Sequence, residues 1–240
     1  MTTSVAPVDV AVFDAVAASY EAALNQGLRF SGERPEYFAE QRVEWTARVI
    51  GANHVRSVLD FGCGVGLAAP MLAEQFQVER LWGFDPSRAA IERAQRDLPA
   101  EAFRFVDEAA GLPAADVDLA YCNGVFHHIP CEHRDEALGT VWRALRPGGW
   151  FALWENNPWN PGTRWVMSRI PFDRGAETLS PVACRRMLRT AGFDVVRTDA
   201  WFLFPHSLRW LRPLERLVHR LPLGGQYLVL ARKPDAESGS

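Results

Sequence analysis

The run Val58-Leu59-Asp60-Phe61-Gly62-Cys63-Gly64-Val65-Gly66-Leu67 constrains the fold more than any other stretch. An apolar segment that reads as a strand ends in an acid. Three glycines follow at alternate positions, and a helical pattern runs from Leu67 to Gln75. Glycine lets a turn take positive φ and lets backbone approach a ligand with no Cβ between them. Strand, glycine turn and helix together make the nucleotide-binding corner of an open α/β sheet. The spacing narrows the choice further. Dinucleotide sites use G-x-G-x-x-G, and Leu67 holds the place of the third glycine here.

A second signal lies roughly twenty residues on, the spacing expected of an acid that meets a ribose in such folds. Leu81-Trp82-Gly83-Phe84 reads as a short strand ending at Asp85-Pro86-Ser87. A carboxylate there can accept from both hydroxyls of a ribose. Asp85 would also serve as the N-cap of a helix over 88–98, with Pro86 near its first turn. Behind a glycine loop at this spacing, cofactor binding takes precedence over the cap.

Composition sets bounds. The 240 residues suit one α/β domain with additions. A net charge of −3 argues against a general nucleic-acid partner, which shows a basic surface. Cys63, Cys122, Cys131 and Cys184 are widely spread with no metal-ligand spacing, so reduced thiols and no metal are expected. Asp9 and Asp14 near the start, with no basic region, do not read as a secretory signal. No uninterrupted apolar run has the length of a membrane span. The expectation is a cytoplasmic protein, monomer or homodimer, with no membrane partner.

Residues 1–50 read as a helical cap. One helix spans 11–25, a second opens at Pro35, and the glycine-punctuated link 27–32 offers a hinge. Over 51–234, strands are expected near 56–61, 80–84, 103–106, 117–122, 149–155, 193–203 and 225–232. Helices are expected near 66–76, 87–98, 132–145 and 181–191. Such alternation implies right-handed crossovers and a mainly parallel sheet covered on both faces. Residues 235–240 read as a polar tail.

Asp60 followed by G-x-G-x-G resembles the first motif of the class I S-adenosylmethionine (SAM) methyltransferases. The likeness extends along most of the chain. Val117-Asp118-Leu119-Ala120-Tyr121-Cys122 is similar to the family's fourth strand, and Asn123 to Ile129 to the loop after it. Ala144-Leu145-Arg146-Pro147-Gly148-Gly149 is similar to the turn into the fifth strand. Glu155-Asn156-Asn157-Pro158-Trp159-Asn160-Pro161, Pro171-Phe172-Asp173, Ser31-Gly32 and Tyr37-Phe38 resemble one bacterial small-molecule branch. The resemblance implies a Rossmann-like α/β fold, seven-stranded and mainly parallel with an antiparallel last strand.

It also implies site roles. Gly62, Cys63, Gly64 and Gly66 would hold the methionine part of SAM with Asp60 near its amino group, and Asp85 with Pro86 the ribose. Asp107 and Glu108 are both candidates for the adenine amino group. Asn123 and Gly124 would lie beside the cofactor. Tyr20 and Arg42 would reach in from the cap, although Arg42 reads equally as a solvated helix charge.

Methyl transfer from a sulfonium asks mainly for alignment and exclusion of water. A base helps when the nucleophile is a hydroxyl or protonated amine, and histidine suits neutral pH. His127 and His128 follow the fourth strand, where substrate meets cofactor in this family. One is expected to face the site and the other the protein. Asn157-Pro158-Trp159 resembles the Asn-Pro-Pro-aromatic motif of exocyclic-amine methyltransferases. It follows the fifth strand instead of the fourth, which disfavours DNA adenine methylation. Trp154, Asn157 and Trp159 are expected to line a pocket for an apolar or aromatic ligand. The sum is a methyltransferase acting at O, N or C of a small metabolite, S-adenosylhomocysteine being the second product, in secondary metabolism. The rivals are a protein or RNA methyltransferase, and a fold that binds the cofactor without methylating.

Overall fold

The computed structural model describes residues 32–170 and 176–235. Seven strands form one sheet: β1 (Ser57–Phe61), β2 (Arg80–Phe84), β3 (Phe103–Val106), β4 (Val117–Asn123), β5 (Leu145–Asn156), β6 (Asp194–Trp201) and β7 (Gln226–Arg232). Their spatial order is β3-β2-β1-β4-β5-β7-β6. β1 pairs in parallel with β2 and β4, and β7 lies antiparallel between β5 and β6. The mainly parallel sheet with an antiparallel last strand is therefore as expected.

Around the sheet lie α1 (Pro35–Ile50), α2 (Ala69–Phe76), α3 (Arg88–Asp97), α4 (Arg134–Ala144), α5 (Pro161–Met167), α6 (Pro181–Thr190) and the single turn α7 (Glu215–Val218). Their starts follow from local chemistry. Pro35 opens α1, where its missing N–H costs no helical bond. The Ser87 hydroxyl accepts the Ala90 N–H at 3.2 Å and caps α3. Asn160 and Ser180 cap α5 and α6 in the same way.

Side chains alternate across the strands, so β1 is buried along its whole length and feeds two cores. Leu59 and Phe61 pack with Phe126, Leu138, Phe151, Leu188 and Tyr227 on the α4 and α6 face. Val58 packs on the other face with Val43, Trp45, Leu72, Ile91, Trp154 and Leu228. Asp60 shares that face by register, at the end of the strand nearest the glycine loop.

Two details depart from the expectations. α1 packs against the sheet, with Val43, Trp45 and Ala47 in the same core and Trp45 stacked on Trp201 at 4.3 Å. The first cap helix and most of the hinge fall outside the described residues. The helix after the glycine loop, α2, begins at Ala69 instead of residue 66, because Gly66 at φ +82 is still in the turn. The stretch between β6 and β7 also carries α7 and a 3₁₀ segment, His206–Leu214, that no periodicity announced.

Candidate functional site

The carboxyl ends of β1, β2 and β4 meet where the strand order reverses, the place where open α/β sheets hold ligands. Gly62, Gly64 and Gly66 all have positive φ, at +77, +53 and +82. They are glycine for different reasons. A Cβ at Gly62 would lie 2.2 Å from Val125, and one at Gly66 would lie 2.8 Å from Leu98. A Cβ at Gly64 would meet nothing within 4 Å, so that residue faces open space. Cys63 is buried and belongs to the core, and its N–H bonds Phe84 O at 3.0 Å, so its thiol is a packing group.

Asp85 stands over this loop. One carboxylate oxygen accepts the Gly64 N–H and the other the Ser87 N–H, each at 2.9 Å. Ser87 is the N-cap of α3, so the cap alternative for Asp85 is wrong. Pro86 is half-buried between the two and does not line the cavity described below. Asp60 is buried, and its Oδ2 has no hydrogen-bond partner. Desolvation, helped by the neighbouring Asp85 carboxylate and opposed by Arg42, pushes Asp60 up to about 7. Asn123 ends β4 with its Oδ1 likewise buried and unpartnered. After β3, Asp107 is half-buried whereas Glu108 is exposed.

Beside this end opens a cavity of ≈ 440 Å³. Leu67, Asn123 and Gly124 form its wall toward the glycine loop, and Tyr37, Phe38, Trp165, Met167, Phe202 and Phe204 make much of the rest. His127 and His128 both line it, where one was expected to face away. Residues 126–128 form a 3₁₀ turn, in which neighbouring side chains diverge by about a third of a revolution. The ring centroids are 4.1 Å apart.

The two differ in burial. His127 is only 3% exposed, and its Nδ1 lies 2.6 Å from Glu155 Oε2. The other Glu155 oxygen accepts the Phe126 N–H at 2.9 Å, so the carboxylate itself is fixed. A buried carboxylate against Nδ1 holds the proton there and leaves the basic lone pair on Nε2. His128 is half-buried.

Arg42 is 7% exposed, which removes its reading as a solvated charge. It lines the cavity and donates to Gln226 Oε1 at 2.9 Å. Phe202 lines the cavity with φ +63, a conformation that costs a non-glycine residue of order 1 kcal/mol. Glu215 holds it there, accepting the N–H groups of Phe202, Leu203 and Phe204 at 3.3, 3.0 and 2.9 Å.

Three residues expected in the pocket are elsewhere. Trp154 faces the core, its Nε1 donating to Thr46 Oγ1 at 3.0 Å. Asn157 is buried as a loop clamp, donating to Pro222 O and Gly224 O and accepting from Trp159 N–H. Trp159 is half-exposed away from the cavity. Tyr20 lies outside the described residues. Glu155, Phe202, Arg212 and Gln226 were missed. For Glu155 a signal existed: it closes a buried strand with an acid, as Asp60 and Asp85 do near the ends of β1 and β2. Among the described residues no cluster of three His, Cys, Asp or Glu could hold a metal ion.

The open space over Gly64 and the unpartnered acceptors Asp60 Oδ2 and Asn123 Oδ1 fit a ligand that brings donors, as SAM does with its ammonium and hydroxyls.

Comparison with known proteins agrees. Residues 59–151 match the family model described as a methyltransferase domain. The chain is 31% identical over 180 residues to a trans-aconitate 2-methyltransferase of Escherichia coli, covering 72% of this chain and 68% of that one. It is 31% identical over 177 residues to that of Methylobacterium nodulans, covering 73% of this chain and 65% of that one. Against the Azoarcus enzyme of the same name it spans 62% of the relative's length. In fold it is similar to an S-adenosylmethionine-dependent methyltransferase from Mesorhizobium loti (TM-score 0.58, 21% identity, 79% of this chain and 97% of that one). One from Archaeoglobus fulgidus is similar too (TM-score 0.61, 18% identity, 81% and 94%).

Proposed function

The chain belongs to the class I S-adenosylmethionine-dependent methyltransferases, and from that premise we propose that it methylates an oxygen of a small, largely apolar acceptor, with His127 as general base. The observation that carries this reading is the buried His127–Glu155 pair on the wall of an aromatic cavity beside the glycine loop.

The cofactor supplies an activated methyl group on sulfur. The chain's own residues do the rest. Asp60 receives the ammonium of the methionine part, Asp85 the ribose and Asp107 the adenine amino group. Open space at Gly64 admits the cofactor against the backbone. Phe38, Phe202 and Trp165 hold the body of the acceptor and exclude water, so that its nucleophile is aligned. Nε2 of His127 takes the hydroxyl proton, and Glu155 stabilises the imidazolium that results. Arg42 has its guanidinium engaged with Gln226 and the Asp60 region, and Arg212 pairs with Glu33 at 2.7 Å. Arg212 is thus neutralised by Glu33, and the largely aromatic lining favours an apolar acceptor over the tricarboxylate that the relatives are named for. Such acceptors are at home in secondary metabolism. A cavity of this size walled largely by apolar side chains suits a protein or RNA chain poorly, and a binder that does not methylate would have no use for a buried base.

Turnover tests the reading, with a panel of aromatic and aliphatic hydroxyl compounds as acceptors. His127→Ala should lower kcat about 10²-fold or more while SAM affinity stays near wild type, and the deficit should shrink at high pH where the acceptor ionises itself. His128→Ala should do less. Normal turnover in both variants would leave catalysis to proximity alone.

A further inference from the structure

The stretch between β6 and β7 turns a row of large apolar side chains outward. Leu208, Trp210, Leu214, Leu217, Leu221 and Leu223 are all exposed, Trp210 by 72% and Leu217 by 77%. Residues 206–223 also carry four arginines and one acid, Glu215, which is buried; Arg212 and Arg220 pair with Glu33 and Asp199 outside the ridge, and Arg209 and Arg216 add net positive charge. In a chain of net charge −3 this ridge is a local exception.

The exposure is built in. Glu215 fastens the ridge from beneath through three backbone N–H groups. Asn157 holds Pro222 O and Gly224 O, and Asn160 holds Leu223 O at 2.8 Å. The polar anchors thus point inward and the leucines outward. Large apolar side chains exposed together along one segment mark an interaction surface. Leucine and tryptophan interleaved with arginine is the composition of a segment that lies at a bilayer interface, with guanidinium groups among the headgroups and apolar side chains at the acyl boundary.

We propose that residues 206–223 seat the protein on an anionic lipid surface. A second copy fits less well, since a two-fold contact through this ridge would set arginines against arginines. An acidic protein partner would take the cations at a rim around an apolar centre, whereas Arg209, Arg216 and Arg220 alternate with the leucines. No described helix is long and apolar enough to cross a membrane. The protein would lie on the surface, and the expectation of no membrane partner rested only on the lack of a spanning run. Phe202, Phe204 and Pro205, at the root of the ridge, line the cavity. On the reading of an apolar acceptor given above, docking therefore brings the cavity to the layer where such acceptors dissolve.

Co-sedimentation of the full chain with vesicles tests the docking without any turnover, so it stands or falls apart from the methyltransferase reading. The vesicles are phosphatidylcholine alone and its equimolar mixture with phosphatidylglycerol. The chain should pellet with the mixture only, and less at high salt. Trp210→Ser with Leu217→Ser should weaken binding by about tenfold or more, the scale of withdrawing large apolar side chains from an apolar phase. Arg209→Ser with Arg216→Ser should weaken it by about tenfold. Neither pair should change the melting temperature appreciably. A wild-type chain that stays in the supernatant with both vesicles overturns the proposal, as do variants that bind like wild type. So does a dimer in sedimentation velocity that dissociates in the leucine variant.

Discussion

The two halves of the site are built differently. On the side proposed for the cofactor the wall is backbone and short polar side chains, from three neighbouring strand ends: the loop 62–66, Asp60, Asp85 and Asn123. Toward the acceptor it is side chain, gathered from α1, the turn after β4, the end of β5, α5 and the β6–β7 connection. Backbone shape follows from a few residues close in sequence, and so the first half tolerates little change. A wall of side chains from five elements can be altered piece by piece, which is how one fold accommodates many acceptors.

Gly64→Val would break the contrast most sharply. The added side chain enters space that is open now, and titration calorimetry should find SAM binding lost. Left-handed φ at a branched residue costs about 1–3 kcal/mol in stability, so the variant should fold with a lower melting point. Retained affinity would mean that the glycine loop is not the cofactor's seat.

Glu155→Gln should act only on the acceptor half. Without its anion to stabilise an imidazolium, kcat should fall about a hundredfold with SAM affinity unchanged. An equal loss of cofactor affinity would show that the halves are not separable.

Asp85→Asn keeps the shape and removes the charge. Because Ser87 already caps α3, helix stability should hold while SAM binds more weakly by about 1–3 kcal/mol. A lower melting temperature with unaltered affinity would point to a purely structural Asp85.

The smallest effect is in pH. Desolvation and Asp85 raise Asp60 from 3.8 to about 7 against the pull of Arg42. The folded apo protein thus holds a proton that the unfolded chain has released. Its contribution to stability is present below the unfolded value and is lost as pH rises through about 7. An ammonium placed beside Asp60 favours the carboxylate, so cofactor affinity should run the other way, improving by about fivefold from pH 6 to pH 7. Calorimetry at the two pH values in buffers of different ionisation enthalpy should detect a proton released on binding. A flat profile removes Asp60 as the ammonium's partner.

Sequence reading succeeded where the deciding contacts are local. Gly62-Cys63-Gly64-Val65-Gly66 fixes its own turn, and most strand ends fell within a residue or two of those observed. It failed at Trp154, Asn157 and Trp159, where residue type suggested a pocket. Which way Trp154 points depends on Thr46, 108 positions away. Asn157 is committed to carbonyls 65 and 67 residues distant. The histidine pair was legible as a pair. The carboxylate behind His127, joined to it across 28 residues, was not.

By itself, then, the sequence determined the alternation of strands and helices, the glycine corner and the acids that close β1 and β2. Each depends on periodicity or on conformational freedom within a few residues. The tertiary structure alone decided that Arg42 is buried, that α1 belongs to the core, and that Phe202 is held at positive φ by Glu215. It also decided that His127 is buried with Glu155 behind it. Those outcomes depend on pairing and burial between segments far apart in the chain, and a side chain's partner across the sheet leaves no trace in its own neighbours along the sequence.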